Sequence, residues 1–217
     1  MSDIFEYWSR YRAPNWYHRD DWPTLSRVSH HFNTHVLPVP FTGPLKSARV
    51  TLLYLAPGLS RSDFSRARSP KRWQRKLRRL RGFEPLSGPN EHKEGWDWWQ
   101  SRTRRFGDWE KLRSKVAILE MCPYHSKSFH DWQLLAALPS CRVSIEWAQD
   151  VLFTEAETGD RVVICLRAPK YWGLKPGKQY GAGLFAPRTA RSGHMMRTAM
   201  RRRITAAVQE MLGLERD

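Results

Sequence analysis

Three segments of the sequence place polar side chains directly after an apolar run. They are Ala56-Pro-Gly-Leu-Ser60 with Asp63, Glu120-Met-Cys-Pro-Tyr-His-Ser126, and Pro187-Arg-Thr-Ala-Arg-Ser-Gly-His194. Carboxylates and imidazoles can move protons or stabilise charge that develops in a reaction. Parallel strands would bring the three segments to one edge of a sheet, which is where open α/β proteins bind ligands. We expect the chemistry of this chain at that edge.

The elements that position these segments follow from four short apolar runs. The strands are expected at Val50–Leu55, within the run from Lys115 to Ser126, at Arg161–Arg167 and, with a weaker pattern, at Gly181–Ala186. Helical patterns lie between and after them, at 70–81, 127–140, 144–150 and 193–212, with Pro70 at a helix start, Pro139 at a stop and Ser192 as a cap. This alternation predicts an α/β three-layer sandwich with a central, mostly parallel four-stranded sheet and helices on both faces.

Length and charge restrict the kind of protein. The 217 residues suffice for a single domain, 1–217, on which an aromatic-rich N-terminal extension (1–36) packs as an outer layer. The formal net charge of +16 predicts a polyanionic partner, because phosphates attract such a surface over long distances. Nucleic acid is the first candidate, and an anionic membrane is the second.

Other classes of protein are disfavoured by what the sequence lacks. It has no run of 18 apolar residues and no apolar signal core at its N-terminus, so we expect a cytoplasmic protein that does not enter a membrane. The three cysteines, Cys122, Cys141 and Cys165, show no CxxC spacing, which argues against disulfides, a zinc site or an iron–sulfur cluster. Cys122 and Cys165 are expected to be small buried apolar residues.

The most basic segment follows the first strand directly. Residues 61–81 contain ten Lys or Arg and a single acid, Asp63. This charge favours a phosphate-binding helix beside the site, although a solvated helix face is the alternative. Further along, Trp96, Trp99 and Phe106 are expected to anchor a helix on the core; the alternative is that one tryptophan stacks on a base.

The ordered motifs resemble the uracil-DNA glycosylase superfamily, in particular its divergent bacterial members. The similarity rests on prolines before the first strand, on the strand that ends in Pro57-Gly58, on Leu119-Glu-x-x-Pro-Tyr-His-Ser126, and on Pro187-Arg-Thr189 ahead of the last helix. It implies an α/β fold that binds DNA, flips a nucleotide out and cleaves its glycosidic bond without a metal or other cofactor. A monofunctional hydrolase is expected, because no lysine stands at a strand end in these motifs.

The resemblance also implies roles for particular residues. The family's first motif carries an Asp or Asn where this chain has Leu55 and Ala56, so Asp63 is the expected catalytic acid, with Glu94 and Asp97 as substitutes. Glu120 stands where the family has an Asn that reads the base; an ionised carboxylate only accepts hydrogen bonds, which suits the cytosine amino group. A buried acid paired with an arginine or histidine is the alternative for Glu120. The base is therefore expected to be a modified cytosine, as in some phage DNA, which would make this an antiviral defence enzyme.

The remaining expected site residues surround these acids. His125 and His194 would stabilise the departing base, although each could equally be structural. The expected base-binding residues are Ala56, Pro57, Gly58, Glu120 and Tyr124. The expected DNA-binding residues are Arg61, Arg72, Arg75, Lys76, Arg188, Arg191 and Ser192.

Two other functions remain open from the sequence. The chain could be a non-catalytic DNA- or RNA-binding protein on a glycosylase scaffold, which the missing acid at Ala56 favours. A nuclease is a weaker alternative, since two-metal chemistry usually needs several clustered acids. In each case the expected protein is a monomer, and for a glycosylase the partner is single- or double-stranded DNA.

Overall fold

The computed structural model describes residues 3–214, which form a mixed six-stranded sheet with helices packed on both faces. The strands are β1 (Phe41–Thr42), β2 (Val50–Tyr54), β3 (Val116–Glu120), β4 (Val162–Cys165), β5 (Lys178–Tyr180) and β6 (Leu184–Ala186). The helices are α1 (Ile4–Ser9), α2 (Trp22–Leu25), α3 (Arg61–Ala67), α4 (Pro70–Arg79), α5 (Lys93–Thr103), α6 (Trp109–Leu112), α7 (Leu134–Ala137), α8 (Pro139–Trp147), α9 (Thr154–Thr158) and α10 (Ala199–Leu212). A π-helical segment (Ala148–Phe153) joins α8 to α9, and a 3₁₀ turn (Pro169–Trp172) follows β4.

The strand order is β1-β3-β2-β4-β6-β5. The inner pairs, β3 with β2, β2 with β4 and β4 with β6, are parallel, whereas β1 and β5 pair antiparallel at the two edges. The sheet therefore has six strands where the sequence predicted four. The α/β class itself is confirmed, and all four apolar runs contain a strand.

Alternate residues of the buried strands supply two separate cores. One face of the sheet, which includes Leu53 and Leu119, packs against α1 and α8. The opposite face, which includes Leu52 and Ile118, packs against α5, α6 and α10. Because every residue of β2, β3 and β4 is buried, these strands are mostly apolar instead of alternating with polar residues; Thr51 and Glu120 are the exceptions.

The N-terminal aromatic residues contribute to the first core. Trp8 and Tyr11 are almost fully buried, and Phe5 contacts both Phe41 of β1 and Trp147 of α8 at ring-centroid distances of 5.5 Å. By contrast, Trp22 is 47% exposed. These aromatics therefore belong to the core of the sandwich as well as to its outer layer.

Helix boundaries confirm some predictions and correct two. Helix α4 begins at Pro70 as predicted, and α5 carries the buried Trp99. The helix predicted at 127–140 is confined to α7, which ends just before Pro139 as predicted. Pro139 also begins α8, since a proline fits the first turn, where its missing N–H has no helical partner. The last helix begins at Ala199 with Thr198 as its cap, because residues 189–195 are held in a bridged loop ahead of it.

Two further expectations concern the burial of the cysteines and the presence of membrane-spanning helices. Cys122, Cys141 and Cys165 are all buried free thiols. Across residues 3–214, no helix has the length and apolar character that a bilayer crossing demands.

Candidate functional site

A cavity of about 740 Å³ opens at the carboxyl edge of the parallel strands. The chain after β2 lines it from Leu55 to Ser60, β3 contributes its last residue, Glu120, and the chain after β4 contributes Arg167. The long loop after β6 adds Arg191 and Ser192. The structure thus brings together side chains from all three polar segments that the sequence placed at strand ends.

Backbone hydrogen bonds hold the loops after β2 and β3 side by side. Tyr54 and Glu120 are opposite one another in the parallel register. Beyond them, the N–H of Cys122 donates to the carbonyl of Leu55 (2.8 Å), and the N–H of Ser126 donates to the carbonyl of Pro57 (3.1 Å). The Ala56-Pro57-Gly58 segment therefore forms a fixed wall of the cavity through its backbone.

Glu120 carries the most unusual side chain of this site. It is only 7% exposed, and its Oε2 accepts no hydrogen bond from any residue between 3 and 214. Burial raises the pKa of Glu120 to about 8, an effect that the positive charge of Arg167 reduces. At neutral pH the carboxyl is therefore mostly protonated, so that it can both donate and accept a hydrogen bond.

Asp63 lies in the first turn of α3, where it also lines the cavity. Its Oδ2 accepts hydrogen bonds from the N–H (2.7 Å) and the hydroxyl (2.8 Å) of Ser60, which makes Asp63 part of a capping box. Its Oδ1 has no hydrogen-bond partner in the part of the chain that the structure describes. One oxygen thus fixes the carboxylate in place and the other remains available.

His125 connects the two loops from beneath the cavity. Its Nδ1 donates to the carbonyl of Gly58 at 2.5 Å and lies 3.7 Å from Asp63 Oδ2. Burial lowers the pKa of His125 below its ordinary value of 6.5, which keeps the imidazole neutral at pH 7. Since that nitrogen is committed to Gly58, the geometry favours a positioning role for His125.

A wall of basic side chains faces these acids. Helix α4 presents Arg72, Arg75, Lys76 and Arg79 to the cavity, and α3 adds Arg66. Arg79 Nη2 lies 3.6 Å from Glu91 Oε2, whereas Arg72 and Arg75 form no ion pair with any described residue. The unpaired guanidiniums can bind phosphate groups at the mouth of the cavity. Phosphate binding by α4 stays a prediction.

Aromatic rings form the remaining wall. The rings of Tyr54 and Trp98 are 4.9 Å apart, and Trp99 is buried behind them with an indole N–H that has no partner among residues 3–214. On the other side, Phe129 contacts Trp132 edge to face at 5.0 Å. Flat apolar walls of this kind suit a planar ring bound between them.

The loop after β6 is fixed onto the aromatic wall. Arg102 lies over the Trp98 ring at 4.6 Å and donates to the carbonyl of Ser192 at 2.9 Å. The turn at Gly193 has a positive φ of 81°, and a Cβ there would lie 2.9 Å from Tyr54 Cε1. Glycine therefore permits the close approach that places Arg191 and Ser192 at the cavity.

Four residues predicted for the site do not line the cavity. Tyr124 is buried in the first core, where its hydroxyl donates to Asp21 Oδ2 (2.5 Å), so its predicted contact with a base is wrong. His194 bonds to the Ser192 hydroxyl outside the cavity, near the arginines of the α5 end. Arg61 and Arg188 do not line the cavity either. Both are exposed and are close in sequence to residues that do line it.

Several residues of the site were not predicted from the sequence. Arg167 is the first polar residue after β4, so the rule that identified the other strand ends would also have identified it. No pattern in the sequence predicts that Trp98 lines the cavity, because only the orientation of α5 decides which tryptophan faces the core and which faces the cavity. Arg66 and Arg79 were indistinguishable from their basic neighbours for the same reason.

Comparisons with known proteins assign no family to this chain. No protein-family model, no curated protein and no solved structure gives a significant match. The fold and the site define an α/β protein whose open cavity combines a buried neutral carboxyl, a fixed carboxylate, aromatic walls and a cationic rim.

The rim leads to a prediction for nucleic-acid binding. Replacing Arg75 by Ala should weaken binding to DNA and lower the slope of log K against log salt by about 1, because one phosphate contact is lost. Fluorescence anisotropy over a salt series measures both quantities. Arg203, exposed on α10 and outside the cavity, provides the control substitution to Ala. An unchanged slope for Arg75→Ala would remove α4 from the interface.

Proposed function

We propose that this protein is a DNA glycosylase that flips out a modified base, a cytosine derivative, and excises it to leave an abasic site. The observation that carries the proposal is the buried Glu120 carboxyl, neutral at pH 7 and without a partner at one oxygen, inside a cavity with a cationic mouth. Such a group is costly to bury without a ligand to pair with it. A flipped nucleotide provides both the base for the interior and the phosphates for the rim.

The neutral carboxyl matches the Watson–Crick edge of cytosine at two points once Oε2, which is closed to solvent in this structure, turns toward the cavity. Its O–H can donate to the ring nitrogen N3, while its carbonyl oxygen accepts from the exocyclic amino group. This differs from the ionised carboxylate expected from sequence, which could only accept. Uracil could form a similar pair, but its N3 carries a proton and cannot take up another. Of these two pyrimidines, Glu120 can therefore activate only the cytosine type as a leaving group by protonating N3.

Catalysis would divide between the two acids. Glu120 donates its proton to N3 as the bond between the base and C1′ breaks, so that the base departs without net charge. The sugar develops oxocarbenium character, which a carboxylate close by stabilises, and Oδ1 of Asp63 is available for that role and for orienting the attacking water. Water adds to C1′ and completes the abasic site. Two carboxyl groups with opposite protonation states are a recurring solution for glycosidic cleavage.

The size of the cavity supports a modified base. Its volume of about 740 Å³ is within the range, roughly 300–1,000 Å³, that usually accommodates a drug-sized ligand. A single pyrimidine would leave much of it empty. A bulky substituent on the cytosine ring, as in hypermodified phage DNA, would occupy the remaining space between Trp98 and Trp132. This supports a role in defence against such phages.

The proposal is tested with a panel of oligonucleotides. Single- and double-stranded DNA carrying cytosine, uracil, 5-hydroxymethylcytosine or its glucosylated form is incubated with the protein and treated with alkali, which breaks abasic sites. We expect strand breaks with a modified cytosine and none with cytosine itself. Absence of breaks with every substrate, despite tight DNA binding, would contradict the proposal.

A substitution at Asp63 distinguishes a catalytic role of its carboxylate from its role in capping α3. Asp63→Asn should lower the excision rate by about 10²–10³-fold, because the amide cannot stabilise the cationic sugar as a carboxylate does. Thermal stability should change little, since an Asn oxygen can still accept the hydrogen bonds from Ser60. Single-turnover rates and melting curves measure the two effects. A normal rate would assign Asp63 to the cap alone.

The second candidate is a non-catalytic nucleic-acid-binding protein on the same scaffold. Two observations favour it: Ala56 carries no polar group, and one oxygen of Asp63 is committed to Ser60. It predicts binding that weakens steeply with salt and leaves the nucleic acid chemically unchanged. Mass spectrometry of the DNA after prolonged incubation distinguishes the two functions.

A further inference from the structure

We propose that Lys76 forms a Schiff base with the aldehyde of an abasic site, which gives the cavity a strand-cleaving lyase activity. The inference rests on the proposed function, because an abasic site is its product. It changes the sequence-based expectation of a monofunctional enzyme. That expectation considered lysines at strand ends only, whereas Lys76 enters the cavity from helix α4.

The position of Lys76 sets it apart from the other cationic side chains of the wall. Its neighbours on α4 are guanidiniums, which remain charged and cannot act as nucleophiles. Lys76 is half-buried, and its Nζ makes no hydrogen bond or ion pair with any residue that the structure describes. Lys127, the other lysine in the cavity wall, is exposed.

The surroundings of Lys76 keep a fraction of its amine unprotonated. Desolvation and the positive charge of Arg79 on the same helix lower the pKa of Lys76 to about 7, and Asp63 of α3 opposes the shift. His125, from the loop after β3, also faces it and is itself neutral. Lysines in desolvated sites next to another cation are the ones that form Schiff bases.

The chemistry balances without an oxidant or a metal. The amine of Lys76 attacks C1′ of the ring-opened sugar, and the resulting carbinolamine loses water to give an iminium ion. Removal of a C2′ proton by a carboxylate of the cavity shifts electrons into a C2′–C3′ double bond as the 3′ phosphate departs. Hydrolysis of the imine then releases the unsaturated aldehyde and regenerates the lysine.

The test uses DNA that already contains an abasic site, so that base excision is not required. The 217-residue chain is incubated with this DNA and sodium cyanoborohydride, which reduces the imine to a stable amine. We expect a covalent protein–DNA adduct that maps to Lys76 by peptide mass spectrometry. Lys76→Arg should lower the adduct yield by at least about tenfold while retaining the positive charge. Lys71→Arg, the same charge-retaining change at an exposed site on the same helix, should behave like the unmodified protein.

Each outcome separates the lyase from the glycosylase. No adduct in spite of binding to abasic DNA, or an adduct that maps to a different amine, would overturn the role of Lys76. Neither result would affect base excision, which is scored on modified-base DNA after alkali treatment. Failure to bind abasic DNA at all would overturn the lyase inference, and normal excision in parallel would leave the glycosylase intact.

Discussion

Replacing Glu120 by Gln should reduce the rate of base excision by about 10²–10⁴-fold, the usual contribution of a general acid. The glutamine amide has nearly the same shape and can still donate to N3 and accept from the amino group of cytosine. It cannot transfer a proton to the leaving base. The dissociation constant for substrate DNA should therefore remain within a few fold, and the loss should fall on the single-turnover rate.

The pH dependence of the same reaction adds a second signature. The rate of the unmodified protein should fall about tenfold per pH unit above the pKa of Glu120, about 8, because the ionised form has no proton to give. The residual rate of the Gln variant should lack this decline. Glu91→Gln, at an exposed carboxylate in the same cavity, is the matched control. Equal rates for Glu120→Gln and the unmodified protein would show that Glu120 is not the acid.

Glu120 should also make the stability of the fold depend on pH. Its pKa is raised from an ordinary value of 4.5 to about 8, so between these values the folded chain retains a proton that the unfolded chain releases. The free energy of unfolding should therefore decrease as pH rises through this window and be constant above it. The shift corresponds to about 4–5 kcal/mol in total, which is large for one residue.

Chemical denaturation at a series of pH values measures this effect against Glu120→Gln. Every other titrating group is common to both proteins, so the difference in unfolding free energy isolates Glu120. We expect the two proteins to converge near pH 4.5 and the Gln variant to be more stable at pH 9. A difference that stays constant with pH would mean that Glu120 has the same pKa in the folded and unfolded chain and is ionised at pH 7, and the acid mechanism would have to be abandoned.

The fold class could be predicted because its signals are local. The strands β2, β3 and β4 are mostly apolar and are followed by turn or polar residues, and those patterns suffice to identify buried parallel strands. The edge strands β1 and β5 have two and three residues. They exist only through pairing with β3 and β6, so no pattern within them predicts a strand.

The candidate site was predictable only in part for a related reason. The rule that polar groups gather at strand ends pointed to the loop from Ala56 to Asp63 and to Glu120, and residues of both line the cavity. The rule does not predict in which direction the side chains of the residues after a strand end point. Tyr124 points into the opposite core because its hydroxyl bonds to Asp21, a residue about a hundred positions earlier. Such long-range pairings are properties of the folded chain.

The protonation state of Glu120 could not be predicted from the sequence either. The residue type alone implied an ionised carboxylate that accepts from an amino group. Burial between the sheet and the aromatic wall reverses this and converts an acceptor into a donor as well. The preference for a cytosine-type base survives, but its reason changes from recognition of the amino group to protonation of N3.

The most direct test of this account is a structure of the protein with DNA that contains a 2′-fluoro form of the modified deoxycytidine. The fluorine disfavours the cationic sugar, so the base stays attached. We expect the base between the aromatic walls, with N3 and the amino group about 2.6–3.2 Å from the Glu120 carboxyl oxygens. A base that remains stacked in the DNA, or that enters the cavity with this edge turned away from Glu120, would contradict the account.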